Sequence, residues 1–128
     1  MRLLLDTSAF LWATLDDPRL SRQAREALTD SSNELFLSAV SVWEIAVKYA
    51  QRRLWLPAPP GQFIPHYRKA HGIQPLPFVE EEALHVLSLP WTHKDPFDRM
   101  LICQAIVHQM ALLSNDALIA QYAVRVVW

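Results

Sequence analysis

Four acidic residues of this sequence lie where their carboxylates could act together. Asp6 directly follows a short apolar run, and Asp116 follows another by two residues. Glu44 and Asp98 lie in the first turns of predicted helices. If the carboxylates converge, their repulsion raises their pKa values or opposes folding, and a hard divalent cation removes that problem. Because oxygen ligands without a cysteine or histidine cluster favour such a cation over zinc, the pattern predicts a Mg²⁺ site in which Mn²⁺ can substitute.

Each of these acids also has an ordinary structural interpretation. Asp6 and Asp116 could each cap the helix that follows, because a carboxylate accepts hydrogen bonds from the free N–H groups of a first turn. Ser41 and Glu44 form an S-x-x-E capping box, which is a sufficient reason for Glu44 by itself. For any one acid taken singly, the sequence leaves both interpretations open.

The segment HKDPFDRMLICQA, residues 93–105, separates the two interpretations most clearly. Asp95 as the N-cap and Pro96 at the first helical position make a well-formed helix start. At 3.6 residues per turn, Asp98 shares a helix face with apolar residues that must point at the core. These are Leu101, Ile102 and Ala105. Since an unpaired buried charge is costly, we interpret Asp95 as the cap and Asp98 as a site residue that needs either polar partners or a cation.

Short apolar segments and helical segments alternate along the chain and must position these acids. The predicted strands are residues 2–5, 35–37, 73–76, 111–114 and 124–127. The predicted helices are residues 9–15, 22–28, 42–52, 62–70, 80–87, 96–109 and 116–121. This alternation predicts one domain, residues 1–128, with the α/β fold class: a three-layer α/β/α sandwich around a short, mostly parallel central sheet of about five strands. Ligands of such sheets bind beyond the carboxyl ends of the strands, where all four acids fall.

Composition and charge exclude several classes of protein. With 52% hydrophobic residues in 128, the chain is globular rather than disordered, and its net charge of −1 excludes a uniformly basic nucleic-acid binder. The single cysteine, Cys103, lies in an apolar helical run, so neither a disulfide framework nor a structural zinc site is available. No stretch is long and apolar enough for a membrane span. We expect a cytoplasmic protein that makes no membrane contact.

Four segments of the chain resemble a known family in their order and spacing. They are LLLDTSAFLW at the start, LSAVSVWEIAVK, HKDPFDRMLICQA and the C-terminal LLSNDALIAQYAVRVVW. These segments resemble PIN-domain ribonucleases, specifically the VapC-type toxins of bacterial type II toxin–antitoxin systems that carry the form H-x-D-P-F-D-R. Residue by residue, the acidic quartet of that family falls on Asp6, Glu44, Asp98 and Asp116. The resemblance implies that these four are the catalytic residues and metal ligands of an endoribonuclease. Metal-activated water would then cleave RNA, and this cleavage would inhibit translation and growth.

The resemblance also implies supporting residues and partners. Asp95 would cap its helix or support the site, and Asn115 would offer an amide beside Asp116. Thr7 and Ser8 could hydrogen-bond metal-bound water, although they are equally good helix caps. The candidates for contact with RNA phosphates are Lys48 and Arg99. Besides the RNA substrate, the implied partners are a second copy of the chain, as a homodimer, and a cognate antitoxin protein in a hetero-oligomer.

Two other functions stay open at this point. One is a PIN-type RNA-processing nuclease that has no antitoxin, which the neighbouring open reading frame would distinguish. The other is a catalytically silent binding module, although such a module has no need of four acids. A phosphatase of the haloacid dehalogenase type would require a second aspartate two residues after Asp6, where this chain has Ser8.

Overall fold

Five short strands form one parallel sheet in the computed structural model, which describes residues 1–128. The strands are β1 (Arg2–Leu5), β2 (Glu34–Ser38), β3 (Ile73–Leu76), β4 (Ala111–Leu113) and β5 (Val126–Val127). The helices are α1 (Thr7–Thr14), α2 (Arg22–Thr29), α3 (Ala39–Ala50), α4 (Pro60–Ala70), α5 (Glu80–Leu84) and α6 (Pro96–His108). None of these helices combines the length and the hydrophobicity that a bilayer crossing requires.

The strand order is β3-β2-β1-β4-β5, so β1 lies at the centre of the sheet. Strands β2 and β3 lie on one side of β1, and strands β4 and β5 lie on the other. Leu5 at the end of β1 is in register with Leu37 of β2 and Leu113 of β4. The order of the strands therefore reverses between β1 and β4, and a crevice forms beyond the carboxyl ends of these two strands.

Apolar side chains cover both faces of the sheet, which explains why the strands are continuous apolar runs in the sequence. Leu3 and Leu5 point into a core that α1, α2 and α4 complete, with Phe10 of α1 fully buried at its centre. Leu4 points to the opposite face, against Leu101 and Ile102 of α6. Helices thus pack on both sides of a five-stranded parallel sheet. The predicted α/β/α sandwich is confirmed.

Three predicted helices differ most from the structure, each for a local reason. Helix α3 begins at Ala39, because the Ser38 hydroxyl accepts a hydrogen bond from the N–H of Val40 at 3.0 Å. The expected capping box of Ser41 and Glu44 therefore lies inside the helix and caps nothing. The predicted helix over residues 80–87 divides into α5 and a 3-10 turn. The predicted helix over residues 116–121 is reduced to a 3-10 turn, Ile119–Gln121, because β5 follows after a short connection.

Candidate metal centre

A polar cleft of about 260 Å³ opens beyond the carboxyl ends of β1 and β4. Its walls contain no hydrophobic residue. The lining residues are Asp6, Thr7, Ser8, Glu44, Lys48, Asp95, Asp98, Asn115 and Asp116. The structure therefore brings together the four predicted ligands and all four predicted supporting residues, along with one of the two predicted RNA contacts.

Asp6 is fixed at the junction of the central strand and the first helix. Its backbone N–H donates to the carbonyl oxygen of Leu113 at 3.1 Å, which continues the pairing of β1 with β4 by one residue. Its carboxylate caps α1 by accepting from the N–H of Ala9 at 2.7 Å. Asp6 therefore caps α1 with one carboxylate oxygen and also lines the cleft, where its second oxygen is available to a ligand. Only 6% of Asp6 is exposed.

The pKa of Asp6 reflects this burial. Loss of solvation raises the pKa from 3.8 to about 6, although hydrogen bonds from Ser114 and Ala9 oppose the rise. Repulsion from Asp116 and Glu44 is a smaller cause of the same rise. Because repulsion among carboxylates is already part of the folded state, this cleft favours a cation.

Glu44 is held from two directions. Thr7 Oγ1 lies 2.7 Å from Glu44 Oε1 and 2.9 Å from Ser41 Oγ, all in buried surroundings. Lys48, one turn later on α3, pairs with Glu44 Oε2. The Thr7 hydroxyl is therefore engaged with a carboxylate, and its predicted hydrogen bond to metal-bound water gains no support. Lys48 lines the cleft, and 39% of its side chain is exposed.

Asp95 and Asp98 divide their roles at the start of α6. Asp95 Oδ1 accepts from the N–H of Phe97 at 2.8 Å and from that of Asp98 at 3.1 Å, so Asp95 is the N-cap. Burial raises the pKa of Asp98 from 3.8 to about 7, and repulsion from Asp95 adds to the rise. The neighbouring His93 lowers this pKa, whereas Asp6 and Asp116 raise it. A proton is therefore easily held on Asp98 when no cation is bound.

His93 is a site residue to which the sequence assigned no role. Its Nε2 atom lies 2.9 Å from Asp98 Oδ2 and 2.9 Å from Asp116 Oδ2. Only 8% of His93 is exposed. The sequence does contain a signal for His93, because this histidine is the first residue of the H-x-D-P-F-D-R form. The loop that follows β4 positions Asp116, whose Oδ1 accepts from the N–H of Leu118 at 2.9 Å.

Arg99 does not reach the cleft. Its guanidinium donates to the carbonyl oxygens of Pro90 at 2.7 Å and His93 at 3.1 Å, and it lies 4.0 Å from the centre of the Trp91 ring. Only 4% of Arg99 is exposed. This geometry removes Arg99 from the candidates for RNA contact and gives it a structural role in the loop before α6.

The donor set of the cleft fits Mg²⁺ or Mn²⁺. It consists of carboxylate oxygens with hydroxyl and amide groups beside them, and it contains no thiolate. Such hard ligands bind Mg²⁺ and Mn²⁺ in preference to softer metals. Five carboxylates line the cleft, and Lys48 is the single cationic side chain there. A divalent cation would offset part of the remaining negative charge.

A parallel sheet with a polar cleft at its switch point defines the class of α/β proteins that bind ligands beyond the strand ends. Residues 3–125 match the PIN domain family. The match spans nearly the whole chain, so this chain belongs to the PIN domain family.

Two curated relatives carry ribonuclease names. The protein named Ribonuclease VapC22, from Mycobacterium tuberculosis (strain ATCC 25618 / H37Rv), is 28% identical over 115 residues, which cover 89% of this chain and 86% of that protein. The protein named Ribonuclease VapC16, from the same strain, is 33% identical over 72 residues, which cover 53% of this chain and 51% of that protein.

Solved structures of similar fold come from VapBC complexes. VapBC2 from Rickettsia felis, bound to a DNA fragment from its promoter, contains a chain with a TM-score of 0.74 and 13% identity, covering 98% of this chain and 97% of that one. VapBC-1 from nontypeable Haemophilus influenzae contains a chain with a TM-score of 0.68 and 15% identity, covering 98% of this chain and 96% of that one. At such low identity the likeness shows the fold alone.

Proposed function

We propose that this chain is a Mg²⁺-dependent endoribonuclease, able to use Mn²⁺, that serves as the toxin of a toxin–antitoxin pair and inhibits translation and growth by cleaving RNA. The observation that carries the proposal is the convergence of Asp6, Glu44, Asp98 and Asp116 in one polar cleft of a PIN domain. The relatives named Ribonuclease VapC22 and Ribonuclease VapC16 support the same reaction class.

The proposed reaction assigns a task to each part of the cleft. The four acids of the quartet would hold the cation. When bound, Mg²⁺ supplies charge neutralisation at the scissile phosphate and lowers the pKa of attacking water. Lys48 pairs with Glu44 and fixes its position, and the exposed part of the Lys48 side chain offers a positive charge to the RNA backbone. Ser8 and Asn115 are exposed at the rim, where their side chains can hydrogen-bond RNA.

Cleavage of a labelled RNA by the purified chain tests this proposal. We expect cleavage with Mg²⁺ or Mn²⁺ and none with excess chelator, and we expect Asp6→Asn to fold and to lose cleavage. The matched control is Asp16→Asn, because the side chain of Asp16 is 89% exposed and lies outside the cleft. Cleavage that survives chelation, or that survives in Asp6→Asn, would refute the metal-dependent reaction.

We also propose a cognate antitoxin and a homodimer as partners. The solved VapBC complexes of similar fold support the antitoxin. Large exposed apolar side chains favour a protein partner, since Trp43 is 64% and Trp55 74% exposed.

Co-expression with the product of the adjacent small gene tests the partners. We expect a stable complex in which RNA cleavage is blocked, with two copies of this chain by light scattering. A chain that cleaves RNA but binds no product of a neighbouring gene would favour the RNA-processing nuclease. A folded chain that binds its partner and never cleaves RNA would favour the silent binding module.

A further inference from the structure

His93 connects two acids that come from distant parts of the chain. Asp98 lies on α6, whereas Asp116 lies in the loop after β4. The imidazole Nε2 atom is 2.9 Å from one oxygen of each carboxylate. His93 is not itself among the residues that line the cleft, so the ring lies behind the two acids.

The second ring nitrogen identifies which tautomer is present. His93 Nδ1 accepts a hydrogen bond from the backbone N–H of Asp95 at 3.3 Å. A nitrogen that accepts a hydrogen bond carries no proton, so in the neutral ring the proton is on Nε2. The Nε2–H group therefore donates to the carboxylates, and Nε2 has no lone pair free for a cation. This tautomer makes His93 a hydrogen-bond donor to the two acids and not a metal ligand.

The backbone around His93 is fixed independently of the acids. The N–H of His93 donates to the Tyr122 hydroxyl at 2.7 Å, and its carbonyl oxygen accepts from Arg99 at 3.1 Å. The Tyr122 hydroxyl in turn donates to the carbonyl oxygen of Pro90 at 2.8 Å. Because Arg99 and Tyr122 are both buried, the loop that carries His93 has little freedom to move. The ring therefore holds a set position between the carboxylates.

We propose that His93 is a positioning residue of the metal centre, which bridges Asp98 and Asp116 through its Nε2–H group and aligns their remaining oxygens toward the cation. This inference rests on the proposed metal-dependent nuclease function. Groups that hydrogen-bond ligating carboxylates orient them, and their removal lowers metal affinity even though they do not touch the metal. Without the bridge, charge repulsion would move the carboxylates of Asp98 and Asp116 apart in the metal-free protein.

Three substitutions of His93 separate the two ring nitrogens. In His93→Gln the amide NH₂ can take the place of Nε2–H, so the bridge is kept. In His93→Asn the shorter side chain reaches only the place of Nδ1, so the bridge is lost while the contact with Asp95 can persist. His93→Ala loses both. Mn²⁺ affinity of each full-length variant is measured by titration calorimetry, after circular dichroism has shown that it is folded.

We expect His93→Asn and His93→Ala to bind Mn²⁺ about 10- to 100-fold more weakly than the wild type, and His93→Gln to stay within about threefold of it. RNA cleavage at subsaturating Mn²⁺ should follow the same order, and excess Mn²⁺ should restore much of it. An Mn²⁺ affinity of His93→Asn and His93→Ala equal to that of the wild type would overturn the proposal. A large loss in His93→Gln as well would show that the imidazole ligates the metal, and a gain in all three would show that it occupies the place of the cation.

The tautomer is tested separately by long-range ¹H–¹⁵N correlation spectra of the metal-free wild type, which need no variant to fold. A proton on Nε2 supports the proposal, and a proton on Nδ1 overturns it. Failure of the proposed function is distinguishable from failure of this inference. A wild type that neither binds Mn²⁺ nor cleaves RNA overturns both, whereas a metal-dependent wild type with an unaffected His93→Asn variant overturns the bridge alone.

Discussion

The acids of the cleft should make the metal-free protein less stable as the pH rises. Asp6 has a pKa of about 6 and Asp98 a pKa of about 7, each raised from 3.8 chiefly by burial. In the unfolded chain both groups return to their ordinary values. Between these values the folded state binds protons that the unfolded state has released, so the free energy of unfolding falls with increasing pH. The stability is fully present below about pH 4 and is lost as the pH passes through the two raised values.

The size of the effect follows from the raised pKa values. A pKa raised by one unit corresponds to about 1.4 kcal/mol in the free energy of unfolding. Between pH 5 and pH 8 the ionisation of Asp98 therefore lowers this free energy by about 3 kcal/mol, and that of Asp6 by about 1 kcal/mol. The side chain of Asp98 is 21% exposed, and its contact with solvent reduces its share. We therefore expect the free energy of unfolding to fall by about 3 kcal/mol over this range.

Urea unfolding in the presence of chelator measures this loss, with tryptophan fluorescence as the signal. Asp98→Asn cannot ionise, so at pH 8 it should be about 2 kcal/mol more stable than the wild type and should depend less on pH. Asp16→Asn serves as the control, since its exposed side chain should change neither quantity. Added Mn²⁺ should stabilise the wild type more at pH 8 than at pH 5, because the cation competes with protons for the same oxygens.

A free energy of unfolding that stays level or rises between pH 5 and pH 8 would contradict this reasoning. So would an Asp98→Asn variant with the pH dependence of the wild type. Either result would mean that the carboxylates are better solvated or more widely separated than the structure indicates.

Four further substitutions have defined outcomes. Asp95→Asn should keep appreciable RNA cleavage because an amide still caps α6, whereas Asp98→Asn should fold and lose cleavage; equal losses would show that this division of roles is wrong. Lys48→Met should lower cleavage at limiting Mg²⁺ with little change in urea midpoint, because the partly exposed Lys48 no longer fixes Glu44, which Thr7 still holds. Arg99→Lys should lower the free energy of unfolding by about 2 kcal/mol, as lysine cannot span the loop carbonyls. Phe10→Ala should lower it by about 3 to 5 kcal/mol, measured in urea, because it empties a fully buried position.

Local sequence patterns predicted the strands well and the helix starts less well. Alternation of apolar runs and helical segments was sufficient for the parallel sheet, because strands buried on both faces admit few polar residues. The start of α3 was misplaced because Ser38 and Ser41 are equally good caps in a linear pattern. The structure uses Ser41 in a hydrogen-bond network with Thr7, a residue 34 positions away along the chain. A sequence pattern over neighbouring residues cannot predict a contact at that separation.

His93 and Arg99 show the same limit within the site. Both lie in the segment HKDPFDRMLICQA, whose pattern predicts no role for His93 and an RNA contact for Arg99. The partners of Arg99 are backbone carbonyl oxygens of the preceding loop, which carry no sequence signal of their own. His93 meets Asp116 across 23 positions, and only the packing of α6 beside β4 brings the two together.

The sequence by itself determined the α/β fold class, the quartet of acids and the cap that starts α6. It could do so because hydrophobic periodicity and capping are local, and because carboxylates at strand ends must meet at one edge of a parallel sheet. Only the tertiary structure decided how each acid is held: Asp6 by β4, Glu44 by Thr7, and Asp98 with Asp116 by His93. The reason is physical, since burial and hydrogen bonds between distant segments set the pKa and direction of each carboxylate.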